Sequence, residues 1–540
     1  MNKTNSSDLP QVVVEYIDSV IIAMKYRKKV RAEVRQELTD HFTDALAGCD
    51  DEQEKEKCVQ EMIEEFGDVK LLGKLLRRAK KRCRPLWQQV TLFVLKVVGV
   101  IFLLLLLRIG YMATGRPTIS VDYTQWMNDK VRAGRDESLN AYHDYQRAIE
   151  LLPEQMPAIV EKIFHHTIEQ QNTSEDWQAI EALLETESEM INTFHVGAAK
   201  PYYWTIYKYP KDENGQLAAG VTEELLPQMN EYKKIAQRMS MFQIPFDIYK
   251  RQTQQAVDDG IALYRFAQHL NQGVVLEQLV GVAFEGMAIS AVYDIVSQIE
   301  VPEKNLLELQ QIIEKNYNPE MAPMDWSLEK AFWYDEIQRS FTDDGEGNGR
   351  PLLRGTVVTV QDGTGYLTGL LTGFPDRKET IAKIEASFGQ FDEYRSLNPK
   401  RLHELKQQDS LPVNTLMYMQ QVSEPAMKET MEIGWRVRAG QAGLIGTLAI
   451  LRFERENERL PESWSELLDR DYLKMIPMDP YSDKPLVYKK TDDGFMLYSV
   501  GLNFVDDGGV AGTNPEGEPQ DWADNGDQVF WPVQSVTSQQ

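Results

Sequence analysis

Between Trp87 and Tyr111 the chain reads Val-Thr-Leu-Phe-Val-Leu-Lys-Val-Val-Gly-Val-Ile-Phe and then five leucines, Leu103–Leu107. No other feature constrains the fold as strongly. As a helix rising 1.5 Å per residue the stretch reaches roughly 36 Å, enough for a bilayer core of about 30 Å. Trp87 and Tyr111 sit at its ends, where amphipathic rings favour the headgroup region. Lys96 lies about two turns in, so its stem can snorkel to the nearer interface. The competing reading is a buried core helix. It is disfavoured by the eleven apolar residues that follow Lys96 without a break.

The flanks set an orientation. Lys74, Arg77, Arg78, Lys80, Lys81, Arg82 and Arg84 crowd the N-terminal side, and only Arg108 and Arg116 follow closely on the other. The positive-inside rule then keeps the N-terminus in the cytosol and sends the long C-terminal part across. No small-residue cleavage site accompanies the segment, so it is expected to stay as an anchor. Positions 1–110 hold 19 basic and 16 acidic residues, about +3, so the chain's −25 leaves about −28 for positions 111–540. So acidic a surface repels phosphate backbones, which argues against nucleic acid as a partner. Cys49, Cys58 and Cys83 all precede the segment, so the remainder has neither a disulfide framework nor a thiolate metal site.

Residues 30–80 are predicted to form three short helices. Val34, Leu38, Phe42 and Leu46 share one face; Val59, Met62, Ile63 and Phe66 make a second stripe that Gly67 caps; Val69, Leu72, Leu75 and Leu76 form a third. The run from Val30 to Phe42, with Glu-Glu-Phe-Gly-Asp at 64–68, resembles a bacterial helical signalling domain, related to the prefixes of permeases, that commonly precedes a membrane segment. The resemblance implies protein interaction, with a helix-turn-helix regulator as a cytosolic partner, and no catalysis. It also implies a bacterial cytoplasmic membrane.

Residues 114–433 carry a mostly helical pattern and suggest an extracytoplasmic bundle or short α-solenoid. Trp177, Ile180, Leu184 and Ile191 fall on one stripe behind an N-cap at Thr173 or Ser174, and Leu263, Phe266, Ala267 and Leu270 fall on another. Val274–Val296 is apolar but interrupted by Glu277, Glu285 and Asp294, which marks a buried packing helix rather than a second span. Tyr202, Tyr203, Trp204, Tyr207 and Tyr209 crowd one short stretch. Exposed beside acids, such rings could stack on sugars or peptides; the same stretch also suits a strand or loop packed over helices. Asp343, Asp344, Glu346 and Asn348 partly imitate a calcium loop, but position 12 is Gly355 where a bidentate glutamate belongs, so a plain turn fits better. Ala256–Leu270, Leu276–Ala288, the loop 341–349 and the C-terminal block together resemble planctomycete-type membrane-anchored proteins, a likeness that implies no chemistry.

In residues 434–533 a small-residue helix with Leu444, Thr447, Leu448 and Leu451 on one side precedes Trp464, Ile-Pro-Met-Asp-Pro at 476–480, and strands at 484–488 and 494–499 joined through Asp492-Asp493-Gly494. This ordered string resembles the globular part of a type II secretion major pseudopilin, which implies a small α+β fold and a calcium loop. The departure is that the membrane helix lies far upstream. Nine acids and no lysine or arginine follow Lys490, and crowded carboxylates invite a cation. Asp506, Asp507, Asp521 and Asp524 are the calcium ligands that the resemblance implies. A solvated acidic tail is the competing reading, and residues 534–540 read as tail.

No Gly-x-Ser-x-Gly elbow, His-Glu-x-x-His motif or P-loop occurs. His403-Glu404 has Gln407 where a second histidine belongs; His165, His166 and Glu169 suit an ordinary surface; Gly363 and Gly365 have Thr368 at the third glycine position of a dinucleotide loop. The chain is therefore expected to be mainly α, with residues 1–85 cytosolic, 86–113 in the membrane and the rest outside. Its leading functional expectation is an interaction or scaffold protein with other envelope proteins as partners. The alternatives are a glycan hydrolase or sugar-binding protein, and a one-pass signal transducer.

Overall fold

The computed structural model describes residues 9–49, 51–82, 86–153, 157, 159–160, 162, 173–208, 222–319, 325–353, 369–370, 373–395, 397–407 and 424–533. The protein is mainly helical with a small β region near its C-terminus. It divides into two compact units, Met1–Arg108 and Ile109–Gln540.

The first unit contains α1 (Gln11–Met24), α2 (Lys28–Leu46), α3 (Glu52–Phe66) and α4 (Val69–Arg82). Val34, Leu38, Phe42 and Leu46 are buried together with Val59 and Met62, as the four-residue spacing predicts. Leu75 is exposed, so the third stripe is narrower than expected. Gly67 ends α3 with φ +74° and its N–H on Ile63, a conformation that costs glycine little. The reading of three helices omits α1. Val13, Tyr16, Ile17, Val20, Ile21 and Met24 supply half of this core, and the Tyr16 hydroxyl donates to the Gly67 carbonyl at 3.0 Å. Helix α5 (Leu86–Ala113) holds the apolar run, with Phe93, Leu95, Phe102, Leu104 and Leu107 exposed.

In the second unit, α6 (Tyr123–Arg132), α7 (Tyr142–Glu150), α8 (Ser174–Thr186), α9 (Ser188–Ala199), α10 (Thr222–Arg238) and α11 (Ile244–Tyr249) lead to a helical hairpin, α12 (Thr253–Leu270) and α13 (Val275–Gln298). Then follow α14 (Glu303–Asn316), α15 (Ser327–Ser340), α16 (Arg377–Arg395), α17 (Pro399–Gln407), α18 (Glu424–Asn457) and α19 (Trp464–Asp469). Thr173 caps α8 by a reciprocal box with Asp176. The stripe from Trp177 to Ile191 is not one helix. It breaks at Glu187, whose buried carboxylate meets the Arg238 guanidinium at 3.0 Å. Leu263, Phe266, Ala267 and Leu270 are fully buried. Among the described residues two helices are long and apolar enough to cross a membrane, α5 and α13; the apolar window of α13 is mostly buried within the protein.

Short β1 (Met478–Asp479) pairs with β2 (Lys484–Pro485), and β3 (Val487–Thr491), β4 (Gly494–Ser499) and β5 (Gln528–Trp531) form an antiparallel sheet in that order. Thr491 faces Gly494 across the expected Asp492-Asp493 turn. The strand predicted over 484–488 is two strands, because the Leu486 N–H turns to the Pro477 carbonyl. A boundary at 433/434 does not hold either. It falls inside α18, a continuous helix of 34 residues, and one hydrophobic cluster extends from Ala141 to Phe530.

Within this core Asp247 and Asp259 are buried side by side. His195 Nε2 lies 2.5 Å from Asp259 Oδ1, and Gln243 donates to Asp247 at 3.2 Å. Burial and the neighbouring Asp259 push the Asp247 carboxyl up to about 9. The folded state thus holds a proton that the unfolded chain releases near pH 4. The associated stability is full below that pH and is lost as pH rises towards 9. Asp247→Asn removes the titration. It is expected to raise the melting temperature by a few degrees near pH 8, with the gain shrinking near pH 5; equal shifts at both values in thermal melts would refute the assignment.

Candidate functional site

The aromatic stretch is not a surface. Tyr203, Trp204 and Tyr207 are buried and Tyr202 is half-buried under Arg135, 4.3 Å from its ring centroid. The segment runs extended because two asparagines substitute for a neighbouring strand. Asn140 bonds the Trp204 N–H and carbonyl, each at 3.0 Å, and Asn128 bonds those of Tyr207 at 2.8 and 2.9 Å. The Tyr207 hydroxyl donates to Glu277 at 2.6 Å, and Glu277 also accepts the Val274 N–H at the start of α13. Burial raises the Glu277 carboxyl, and these hydrogen bonds oppose the rise. The segment therefore packs on the start of α13, where the Tyr207 hydroxyl and Glu277 both meet the Val274 N–H.

The four acids expected to hold calcium meet different groups. Asp506 accepts from the Tyr498 hydroxyl at 2.8 Å, Asp507 from Asn503 at 2.7 Å and Asp521 from Gln528 at 3.0 Å. Asp524 is exposed on the rim of a separate cleft. The loop is closed instead by Asp527, which is buried and accepts the N–H groups of Asp507 at 3.2 Å and Gly509 at 2.6 Å. Among the described residues no three His, Cys, Asp or Glu side chains gather as metal ligands. In the loop 341–349, Asp344 accepts from the backbone of Glu346 and Asn348, and Asp343 pairs with Arg377, which makes a turn. Tyr209, Cys83, His165, His166, Glu169, Gly355, Gly363, Gly365 and Thr368 lie outside the described residues.

The cleft that Asp524 borders has a volume of about 700 Å3. Its wall is an arc of rings. His403 lies 4.8 Å from Phe504, Phe504 6.0 Å from Tyr481, and Tyr481 5.4 Å from Trp522, centroid to centroid. Trp435 of α18 is fully buried beneath it, and among the described residues neither its Nε1 nor the Tyr481 hydroxyl has a hydrogen-bond partner. Phe504 and Trp522 adopt φ of 60° and 56°. Bulky residues rarely occupy the left-handed region, and such strain persists where the surroundings enforce it. Trp522 is enforced by Gln528, whose Oε1 accepts its N–H at 2.6 Å. Around the rings stand Glu432, Arg436, Asn514, Gln520, Asp524 and Asn525. Glu432 is bound by Arg436 at 2.8 Å and Asn525 is spent on Thr513, while Asp524 makes no hydrogen bond or ion pair among the described residues.

Nothing in the sequence pointed to Trp435, Tyr481 or Phe504. Each comes from a different element, so no spacing links them. Comparison with protein-family models, curated proteins and solved structures finds no match. The resemblances in the sequence rest on the residues that suggest them.

Tyr481 is positioned by Asp479, which is buried and accepts from Ser499 Oγ at 2.7 Å and from the N–H groups of Tyr481 and Val500, each at 3.1 Å. Asp479→Ala leaves three buried donors unmatched. It is expected to cost roughly 2–4 kcal/mol, read as a lower urea midpoint with an unchanged slope.

Proposed function

We propose that this chain is a single-pass protein of a cytoplasmic membrane whose extracytoplasmic part binds an oligosaccharide in the aromatic cleft. The observation that carries the reading is the pair Phe504 and Trp522, two half-buried rings held in strained backbone on the wall of one cleft. A sugar ring offers a C–H face that stacks on such rings and a rim of hydroxyls that donate to carboxylates and amides. Asp524, Gln520 and Asn514 border the rings, and the volume lies within the range of small-molecule sites.

Binding is favoured over hydrolysis. A glycosidase needs two opposed carboxyl groups, one of which supplies a proton. Glu432, the other carboxylate of the cleft, is tied to Arg436. The reading thus belongs with an interaction protein of the envelope, in which the ligand is a glycan.

Isothermal titration of the full chain in detergent with N-acetylated chitooligosaccharides and with neutral glucan oligomers tests it. One of the two is expected to bind, and Trp522→Ala to weaken binding at least tenfold, about 1.4 kcal/mol. Flat titrations with both, or unchanged affinity in the variant, would end the reading.

The anchoring reading is supported by the bare apolar surface of α5 and by the basic cluster before it. Gln60→Cys and Glu300→Cys, each in a chain without Cys49, Cys58 and Cys83, provide exposed reporters. An impermeant thiol reagent on cells with a permeabilised outer layer is expected to label position 300 and spare position 60. The reverse pattern would invert the topology.

A further inference from the structure

A second cavity, of about 610 Å3, lies among α12, α13, α14 and α18. Arg438 of α18 lines it and is only 5% exposed. Its Nη1 donates to Gln441 Oε1 at 2.7 Å and to the Asn316 carbonyl at 3.3 Å, and its Nε has no partner among the described residues. No carboxylate oxygen of a described residue comes within 4.0 Å of the guanidinium, so it makes no ion pair there. Glu285, the buried acid that shares the cavity, is separated from it by Gln441, which bonds both. Asn271 donates to the other Glu285 oxygen at 3.2 Å, and burial raises the Glu285 carboxyl while Arg438 opposes the rise.

A buried guanidinium without a counter-ion is costly, and arginine is the side chain best suited to grip a carboxylate or phosphate in two-point fashion. The mouth has the same sign. Arg265 and Lys315 border the cavity, are exposed, and make no ion pair among the described residues. Lys200, also on the lining, is already committed to Asp144 at 2.6 Å. In a part of the chain that carries about −28, Arg438, Arg265 and Lys315 outnumber Glu285, the one carboxylate that lines the cavity among the described residues, and so run against the overall charge. His269 adds no charge there: burial lowers its ring to about 4, and its Nδ1 is bonded to the Tyr145 hydroxyl at 2.7 Å.

We propose that this cavity binds a small molecule bearing a carboxylate or phosphate, with Arg438 as the counter-ion inside and Arg265 and Lys315 drawing the anion to the mouth. The site is independent of the aromatic cleft, so neither reading depends on the other. Calorimetric titration of the full chain in detergent, once with inorganic phosphate and once with succinate, tests it. Binding of either at millimolar concentration is expected, and whichever binds names the group. Arg438→Gln should weaken binding at least tenfold, and Arg265→Ala and Lys315→Ala should each weaken it several-fold, more at low salt than at high. The two surface variants remain informative even if the core variant folds poorly. Silence with both anions, or affinities unmoved by Arg265→Ala and Lys315→Ala together, would overturn the proposal.

Discussion

From Val437 to Ile450 every residue of α18 is buried, and the second unit is organised around that fact. A helix enclosed on all sides cannot present the usual apolar stripe and polar back; it must be narrow, and buried polar side chains such as Arg438 and Gln441 must bond inside the protein. Here narrowness comes from Gly440, Gly443 and Gly446. A Cβ at Gly443 would sit 2.6 Å from the Phe530 ring and one at Gly446 2.9 Å from Trp464, so the sheet and α19 approach only because those atoms are missing. Each glycine costs a helix about 1 kcal/mol against alanine, offset by the close packing it permits. Arg452 extends the tie: it donates to Gln310 of α14 at 2.9 Å, and Gln310 donates to the Tyr472 carbonyl beyond α19 at 2.7 Å.

Two helices of this chain pass the same test of length and apolarity, and they differ in what their polar residues do. In α13, Glu277, Gln278 and Glu285 are fully buried, and each is matched inside the protein: Gln278 donates to the Gly273 and Asp325 carbonyls, Glu277 accepts at the helix start, and Glu285 meets Gln441 and Asn271. A side chain with so many internal partners has no need of a bilayer and would lose them in one. In α5, beyond Lys96, nothing polar interrupts the run before Arg108, and among the described residues nothing buries its apolar window.

This contrast was legible in the sequence, because charges inside an apolar run are local information. So were the N-cap at Thr173, the cap at Gly67, the stripe from Val34 to Leu46 and the turn at Asp492-Asp493, since capping, periodicity and turn chemistry all act within a few residues. What escaped depends on distant partners. Helix α1 is the exception, because the three- and four-residue spacing of Val13, Tyr16, Ile17, Val20, Ile21 and Met24 is a local signal. Glu187 breaks a helix because of Arg238, about fifty residues on. The Tyr202–Tyr207 rings are buried because Asn128 and Asn140 bind their backbone. The acids after Lys490 bond to separate partners, Asp506 to Tyr498, Asp507 to Asn503 and Asp521 to Gln528, around a sheet whose last strand was not anticipated. A cleft built from one ring of α18, one from the β1–β2 connection and two from later loops leaves no trace in spacing at all.

The faces of α18 connect these observations. At 100° per residue, Glu432, Trp435 and Arg436 cluster on one side of the helix, and Arg438 and Gln441 point roughly the opposite way. The first group borders the aromatic cleft and the second the basic cavity. Gly443 falls on the cleft side, where Phe530 closes over it, and Phe530 stands 6.4 Å from Trp522, centroid to centroid. A single rigid element therefore supplies the floor of one site and the buried cation of the other. Close-packed helices move as units rather than deforming residue by residue. Any rotation or slide of α18 that adjusts Arg438 also shifts Trp435 and the ring arc above it. The helix that forces the domain to share one core thus borders both the cleft and the cavity, on opposite faces.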